Sequence, residues 1–336
     1  MREEPALKQI QINVEPLDRY AGLWEKTRAA LSWHCPFVLP FWLETVHHHL
    51  GDGQEPHIVT ITDNQTLIGI VPLAMDQDRA QFIGPHHVCD YQDIVAAPGH
   101  APTVMTALLD HLSALGLKTL DLRTLRPDAK VLSALNTLAA QKEIRMTTAA
   151  DDVTFETGLP ADWDGYLMQL SGKQRHEVRR KIRRLEANGS YTFRMASNTG
   201  DLEPDMNLFF HLFRSNRRDK AQFMTPAMED YFKALIQGLA EHRMLRLCFL
   251  EVKDQPTATA LCFDYNGTRY LYNSGYDDQY DELSVGILSK VFSIQNAIET
   301  GCTRYDFLKG QEVYKGRIGG NPIDLHHYTI DLSDLG

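Results

Sequence analysis

A strongly basic stretch carries the clearest chemical signal in this sequence. Residues 171–189 read SGKQRHEVRRKIRRLEANG, and seven of the twelve residues from Lys173 to Arg184 are Lys or Arg. The whole chain has a formal net charge of −10, so this positive charge is concentrated locally. Arginine presents its donors in a planar fork that matches a phosphate. The stretch predicts either contact with a phosphate-bearing partner (a sugar nucleotide, a coenzyme A tail or a tRNA end) or a solvated helix face.

The spacing within this stretch is helical. Ser171 and Gln174 have the spacing of a capping box, which predicts a helix start there. Arg175 and Arg179 lie four residues apart and therefore on one side of the helix. We predict that Lys173, Arg175 and Arg179 bind substrate. A second basic cluster, FRSNRRDK at 213–220, could extend the same surface.

A second candidate for anion binding lies where a predicted strand passes through a polar loop into a helix, in NSGYDDQYDELSVGIL at 273–288. Ser284 suits the N-cap position, and Gly286 allows close approach of the backbone. Free N–H groups at a helix N-terminus suit a pyrophosphate. We therefore predict that Ser284, Val285, Gly286 and Ile287 bind the cofactor. An ordinary capped helix is the alternative.

The segment YDFLKGQEVYKGRIGG, residues 305–320, places cationic side chains in a glycine-rich loop after a predicted strand. A lysine in such a loop can neutralise a developing oxyanion or a phosphate. Lys315 is the candidate for this role. A solvated loop with turn glycines is the alternative.

Composition limits the class of protein. With 336 residues the chain is long enough for two domains. The charged start and the lack of a long apolar run predict neither a secretory signal nor a membrane span, and the acidic balance disfavours a nucleic-acid coat protein. Five scattered cysteines without a C-x-x-C pair predict reduced thiols in a cytoplasmic protein, with no metal site.

The two halves of the chain share an order of elements. Each reads as three strands, a helix and a further strand, and LGLKTLDL at 115–122 aligns with TGCTRYDF at 300–307. A mainly helical stretch at 160–242 lies between them. This repeat predicts a mixed α/β fold with duplicated domains, at 1–155 and 156–336.

The motifs, taken in order, resemble a known family. SGKQRHEVRRKIRRL, YLYNSGYDDQYDELSVGIL and RYDFLKGQEVYKGRIGG resemble GNAT-superfamily acyltransferases of the BioF2-like or CelD-like group, which are similar to the FemAB aminoacyltransferases. GPHHVCDYQDIVAAPG also resembles the family's D-Y-x-D loop, carried here by Asp90, Tyr91 and Asp93. The resemblance spans roughly residues 55–320.

The resemblance implies two tandem GNAT-like domains, each a central mixed sheet flanked by helices. It also implies that Lys315 lies close to the reacting groups, that Arg175 and Arg179 lie on a helix facing the acceptor, and that Asp90 belongs to an acidic acceptor site. An amine or hydroxyl of a small-molecule, sugar-linked or cell-wall precursor is the implied acceptor.

We predict direct attack of this acceptor on an activated acyl group, with acetyl expected. Asp90, Asp93 or Asp277 could act as the base. Tyr91 and Asp93, together with Tyr276 and Tyr314, are expected to contact substrate. Acyl-CoA is the expected donor. An aminoacyl-tRNA donor, or a non-catalytic scaffold that binds a phosphorylated ligand in polysaccharide assembly, are the alternatives.

Overall fold

A computed structural model describes residues 9–51, 53–140, 144–196, 200–215 and 222–333. The chain divides into two compact units. The first is made of residues 1–152 and 324–336, and the second of residues 153–323. The C-terminal segment, which the sequence reading placed in the second domain, thus belongs to the first unit.

The first unit is built from a mixed sheet with helices packed on it. Its elements are β1 (Ile10–Glu15), α1 (Tyr20–Thr27), α2 (Pro40–Leu50), β2 (Glu55–Asp63), β3 (Thr66–Asp76), β4 (Arg79–Phe82), β5 (Val95–Ala96), α3 (Ala101–Ala114), β6 (Thr119–Leu125) and α4 (Lys130–Ala139). Helices α3 and α4 bury their apolar faces against the sheet, in one core with Val59, Val71 and Leu120.

The second unit follows the same plan. Its elements are β7 (Met146–Gly158), which begins at the end of the first unit, α5 (Trp163–Gln169), α6 (Gly172–Ala187), β8 (Tyr191–Met195), α7 (Glu203–Ser215), α8 (Pro226–Glu241), β9 (Leu245–Val252), β10 (Gln255–Tyr265), β11 (Thr268–Tyr276), a 3-10 helix (Asp278–Leu283), α9 (Val285–Glu299), β12 (Arg304–Lys309) and α10 (Val313–Arg317). The last strand, β13 (Asn321–Asp331), returns to the first unit.

The strand order confirms a mixed sheet in each half. In the first unit the order is β1-β2-β3-β4-β6-β13, and in the second it is β8-β9-β10-β11-β12-β7. Neighbours are antiparallel except β4 with β6 and β11 with β12, which are parallel. In both units the parallel pair is joined through a helix, α3 or α9, as a parallel connection requires. The three-strand, helix, strand repeat read from the sequence therefore matches the structure.

The parallel strands β11 and β12 separate before they end. They pair only from Thr268–Tyr270 with Arg304–Asp306, although β11 continues to Tyr276 and β12 to Lys309. Leu308 has a left-handed backbone with φ of 57°, which turns β12 away at this point. The two strands are therefore unpaired toward their carboxyl ends, and ligands commonly bind at the carboxyl ends of strands in α/β sheets.

A tight crossing of helix and strand fixes α7 on β11. A Cβ atom on Gly275 would lie 2.4 Å from the backbone oxygen of Leu212 and 2.5 Å from Cα of Phe213. Only glycine leaves room for this approach. The crossing holds β11 from the side and thereby fixes the strand that leads into the start of α9.

Strands β7, β8 and β13 were missed in the sequence. Residues 146–158 are polar on both sides, and β8 lies within the stretch read as mainly helical. Each of these strands is held by backbone hydrogen bonds to a neighbouring strand, and in β7 the polar side chains give no periodic apolar signal. Among the described residues, no helix combines the length and apolarity that a membrane crossing requires.

A buried arginine holds the C-terminal half of α9. Arg269 is fully buried and pairs with Asp264 at 2.7 Å, and it also donates to the Ser293 backbone oxygen and to Asn296 Oδ1. Carbonyl groups near a helix C-terminus favour a cation. The ion pair raises the pKa of Arg269, against the desolvation that burial imposes.

Arg269→Met should destabilise the second unit by about 2–4 kcal/mol, because the Ser293 backbone oxygen and Asn296 lose a buried donor. Asp264 keeps its ion pair with Arg246. Chemical denaturation of the two proteins measures the difference. Lys233→Met is the matched control: its pair with Glu229 is partly exposed and should contribute about 1 kcal/mol or less. Equal losses for both variants would contradict the assigned role of Arg269.

Candidate functional site

Helix α6 carries its cations on two opposite faces. Its start is the predicted capping box: Ser171 accepts from the Gln174 N–H, and the Gln174 side chain accepts from the Ser171 N–H. Lys173, Lys181 and Arg184 lie on one face, and Arg175, Arg179 and Arg183 on the other. The basic stretch is therefore two surfaces and not one.

The first face meets the predicted cofactor-binding turn. Lys181 Nζ donates to Ser284 Oγ at 3.1 Å, and Arg184 Nη2 donates to the same oxygen at 3.0 Å. The two segments lie about a hundred residues apart in sequence, and each was predicted to bind phosphate. In the structure both meet at one hydroxyl. A hydroxyl oxygen accepts two hydrogen bonds and keeps its own hydrogen to donate.

Ser284 does not cap α9 with its side chain, contrary to the N-cap prediction. Its backbone is left-handed, with φ of 58° and ψ of 36°, and its side chain makes no capping hydrogen bond. The left-handed backbone turns the hydroxyl toward α6, where it meets the two cations. The Ser284 backbone oxygen still accepts from Ile287 and Leu288, so α9 begins as predicted.

Gly286 is needed for a different close approach from the one predicted. A Cβ atom there would lie 2.5 Å from Cδ1 of the Tyr276 ring. The Tyr276 ring therefore packs on the first turn of α9.

The buried Lys290 donates to the Gly286 backbone oxygen at 2.6 Å and lies 5.0 Å from the centre of the Tyr314 ring. Both predicted tyrosines thus shape the start of α9. Tyr314 is half-buried, and burial raises its pKa.

A cavity of about 470 Å³ lies beside this junction. Its lining includes cations, one acid and apolar side chains: Lys173, Gln174, Glu177, Val178, Lys181, Ile287, Val313, Gly316, Arg317 and Ile318. Burial and the neighbouring Arg180 and Arg184, together with Arg317, lower the pKa of Lys181. A bound anion would relieve this repulsion between like charges.

One polar atom at this junction is left without a partner in the described chain. Arg184 Nε is buried and makes no hydrogen bond there, although the same guanidinium donates to Ser284. Buried donors are normally satisfied. The orphaned N–H and the shared hydroxyl together suit an anion that lies between α6 and the start of α9.

A second cavity, of about 500 Å³, lies on the opposite face of α6. Its lining combines arginines with apolar and aromatic groups: Trp163, Leu167, Gly172, Arg175, His176, Arg179, Ile182, Arg183 and Glu186. Arg175 donates to the Leu167 backbone oxygen at 3.3 Å. Sequence reasoning took Lys173, Arg175 and Arg179 as the substrate-binding cations of α6 and did not include Lys181 or Arg184. Their i, i+3 spacing was the available signal.

Lys315 has its ammonium group fully occupied. Its Nζ donates to the backbone oxygens of Leu308, Lys309 and Gly310, and Glu312 lies 2.9 Å away. An ammonium has three hydrogens to donate. Because Lys315 is 1% exposed and holds the left-handed end of β12, this geometry favours a positioning role over the predicted contact with an oxyanion.

Asp277 is a capping residue in the structure. Its side chain accepts from the Gln279 N–H at 3.0 Å and begins the 3-10 helix that leads to Ser284. Asp281 and Glu282, in the same 3-10 helix, are exposed. A role of Asp277 as the base stays a prediction.

The three residues of the D-Y-x-D loop belong to the first unit. Asp90 is buried, and the Tyr91 ring packs edge-on against Phe37 with Arg126 over its face at 5.1 Å. Asp93 accepts from the N–H groups of Ile94, Lys130 and Val131 at 2.8–2.9 Å. Burial raises the pKa of Asp93 to about 6, while these N–H groups favour the carboxylate. Asp93 therefore caps the start of α4.

The remaining candidates give little chemistry. Cys89 follows His86 and His87 in the sequence, but it is fully buried, so its thiol is not accessible as a nucleophile. The basic residues at 216–220 lie outside the described residues. Across the described ranges no group of three or more His, Cys, Asp or Glu side chains is arranged to hold a metal ion.

Comparison with known proteins agrees with this architecture. Residues 172–316 match the family model of the acetyltransferase (GNAT) domain. A crystal structure of FemX is similar at a TM-score of 0.64 and 10% identity, over 97% of this chain and 98% of FemX. A conserved protein of unknown function from Bacteroides thetaiotaomicron VPI-5482 gives 0.64 at 11% identity, over 96% and 100%.

A tandem GNAT protein from the clavulanic acid biosynthesis pathway is also similar, with a TM-score of 0.51 at 10% identity, over 96% of this chain and 99% of that one. At these identities the likeness shows the fold alone. No curated protein sequence matches the chain. Residues 172–316 thus match the GNAT domain in sequence, and the fold of the chain is similar to that of FemX and of a tandem GNAT protein, so the predicted resemblance and the tandem GNAT-like architecture are confirmed. This fold supports acyl transfer in general.

Lys315→Met should lower the stability of the second unit by about 2–4 kcal/mol, because three backbone oxygens at the end of β12 lose their donor. Chemical denaturation measures this loss. Glu312→Gln is the control, since it leaves those three hydrogen bonds in place and should cost about 1 kcal/mol or less. A Lys315→Met protein as stable as the parent would show that the lysine does not hold this loop.

Asp93→Ala should destabilise the first unit by about 1–3 kcal/mol, because three N–H groups, two of them at the start of α4, lose their acceptor. Thermal and urea unfolding measure the change. Asp110→Ala on the exposed side of α3 is the control and should change little. If both variants unfold alike, the capping role of Asp93 is wrong.

Proposed function

We propose that this protein transfers an acyl group, most simply acetyl, from acyl-CoA to an amine or hydroxyl of a small-molecule or sugar-linked acceptor. The observation that carries the proposal is the convergence of Lys181 and Arg184 on Ser284, at the start of α9. Two cations, a hydroxyl and a helix N-terminus together favour a phosphate-bearing donor.

The adjoining cavity has the chemistry of such a donor. Lys173, Lys181 and Arg317 give it positive charge, and Ile287 and Ile318 give it apolar walls. Coenzyme A combines phosphates with a long, less polar arm, so one molecule can use both parts. No metal ion is required, because the cations of the protein balance the phosphate charge.

The reaction is direct attack on the donor thioester. The acceptor nitrogen or oxygen forms a bond to the acyl carbon, the carbon–sulfur bond breaks, and the proton lost by the acceptor ends on the coenzyme A thiol. A carboxylate acting as base would speed this step. Asp277 lies in the segment that leads to Ser284, where its side chain accepts a hydrogen bond from the Gln279 N–H. It remains the candidate base in this unit.

Lys315 contributes indirectly in this scheme. By holding the backbone oxygens of Leu308, Lys309 and Gly310, it fixes the end of β12 where this strand separates from β11. A fixed gap between the two strands would place the acyl group reproducibly. The oxyanion would then need another donor, such as a backbone N–H group.

The second candidate is an aminoacyl-tRNA donor. It is favoured by the separate arginine face of α6, which adds positive charge beyond what one small donor needs. The acyl transfer would be the same, with the ester of the tRNA in place of the thioester. Charged tRNA is therefore the next donor to test if acyl-CoA fails.

Calorimetric titration with acetyl-CoA and longer acyl-CoAs tests the donor assignment. We expect saturable binding that Lys181→Met or Arg184→Met weakens about tenfold or more, because each removes a cation from the phosphate site. Arg183→Met is the matched control, since it removes a cation from the opposite face of α6 that lines only the other cavity.

Absence of binding to every acyl-CoA would overturn the acyl-CoA assignment. Binding that survives both variants and falls with Arg183→Met would place the donor elsewhere. A salt dependence steeper for the parent than for Lys181→Met would identify the lysine as a phosphate contact.

A further inference from the structure

A pair of histidines in the first unit is not used by the proposed acyl transfer. His57 lies on β2 and His111 on α3, and their Nε2 atoms are 3.2 Å apart. The ring planes are inclined by 18°, and the ring centres are 5.5 Å apart. Because the two nitrogens are so much closer than the ring centres, the rings meet through their Nε2 edges and not face to face.

The hydrophobic core of the first unit holds this pair together. His57 shares a face of β2 with the buried Val59, and His111 follows the buried Leu108 by one turn of α3. Each ring therefore stands at the end of an apolar row that packs into the same core. Both histidines are half-buried. Two regular elements thus present the two nitrogens to each other, without help from a loop.

The protonation state of the pair suits a metal ion. In the neutral pair one Nε2–H donates and the other Nε2 accepts. Burial lowers the pKa of both imidazoles, and His111 lowers that of His57 further. Both rings are therefore mainly neutral at pH 7, and neutral imidazole is the form that binds a metal.

The separation of the nitrogens also suits a metal ion. Two nitrogens that bind one ion at about 2.0–2.1 Å are about 2.9–3.4 Å apart, for angles at the ion between about 90° and 109°. The observed 3.2 Å lies in this range. A small rotation of each ring would aim both lone pairs at an ion beside the line that joins them. The donating ring would then hold its hydrogen on Nδ1, so binding releases no proton.

We propose that His57 and His111 bind one late first-row transition-metal ion, Zn²⁺ or Cu²⁺, and thereby tie β2 to α3. Imidazole suits both ions, and affinity rises along the series to Cu²⁺. Among the described residues no third His, Cys, Asp or Glu side chain is placed to join the pair. Water therefore completes the coordination, as the half-buried position of the two rings allows.

Metal binding is tested on the full chain, prepared without a polyhistidine tag. Calorimetric titration with Zn²⁺, Cu²⁺ and Mg²⁺ should show one ion per chain bound at the pair for the first two, with Cu²⁺ tighter, and no binding of Mg²⁺. Zn²⁺ at about 100 times its dissociation constant should raise the Tm of the first unit by about 5 °C or more, because the unfolded chain does not hold the two rings together.

His57→Gln and His111→Gln should each weaken this binding about tenfold or more, since one imidazole remains in each variant. His100→Gln is the matched control, because it removes an imidazole at the start of the same helix and should leave binding unchanged. The parent protein gives a second readout that does not depend on how the variants fold. In ¹⁵N NMR, Zn²⁺ should shift the Nε2 resonances of both His57 and His111.

The outcomes decide the proposal without reference to acyl-CoA, so it stands or falls apart from the proposed function. Equal binding by the parent and by both glutamine variants at the pair would mean that other histidines hold the ion, and would overturn it. Binding of neither Zn²⁺ nor Cu²⁺, or unshifted Nε2 resonances in the presence of Zn²⁺, would show a hydrogen bond only and also overturn it. Binding kept by His100→Gln and lost in both other variants, with both resonances shifted in the parent, would support it.

Discussion

The convergence of Lys181 and Arg184 on the hydroxyl of Ser284 is the interaction on which the proposed site depends. Two cations share one neutral oxygen, and burial, together with repulsion from neighbouring guanidinium groups, lowers the pKa of Lys181. The arrangement is possible because Ser284 has a left-handed backbone that turns its side chain away from the cap of α9 and toward α6. A bound phosphate would turn this repulsion into attraction.

The rest of the second unit keeps that junction in place. Arg269 fixes the far end of α9, the Tyr276 ring packs on its first turn at Gly286, and Lys315 holds the end of β12. Each contact is local, but together they fix where α9 starts relative to the gap between β11 and β12. The buried cations Arg269 and Lys315 therefore stabilise the fold of this unit, while the exposed and half-buried cations of α6 are the ones proposed to bind ligands.

The sequence predicted the elements better than the contacts. The capping box of Ser171, the helix after Ser284 and the repeated order of strands follow from local patterns and were right. The roles of Lys315 and of the Ser284 side chain depend on backbone angles at Leu308 and Ser284, which residue type does not reveal. Strand β13 returns to the first unit through a pairing distant in sequence, which no local pattern encodes.

A crystal structure with acetyl-CoA bound would test the central claim most directly. We expect the pyrophosphate within about 3 Å of Lys181 Nζ, of the Arg184 guanidinium and of Ser284 Oγ, with the two cations drawn from the hydroxyl to the phosphate oxygens. Coenzyme A bound elsewhere, with both hydrogen bonds to Ser284 unchanged, would contradict the account. The junction would then be a structural contact between α6 and α9.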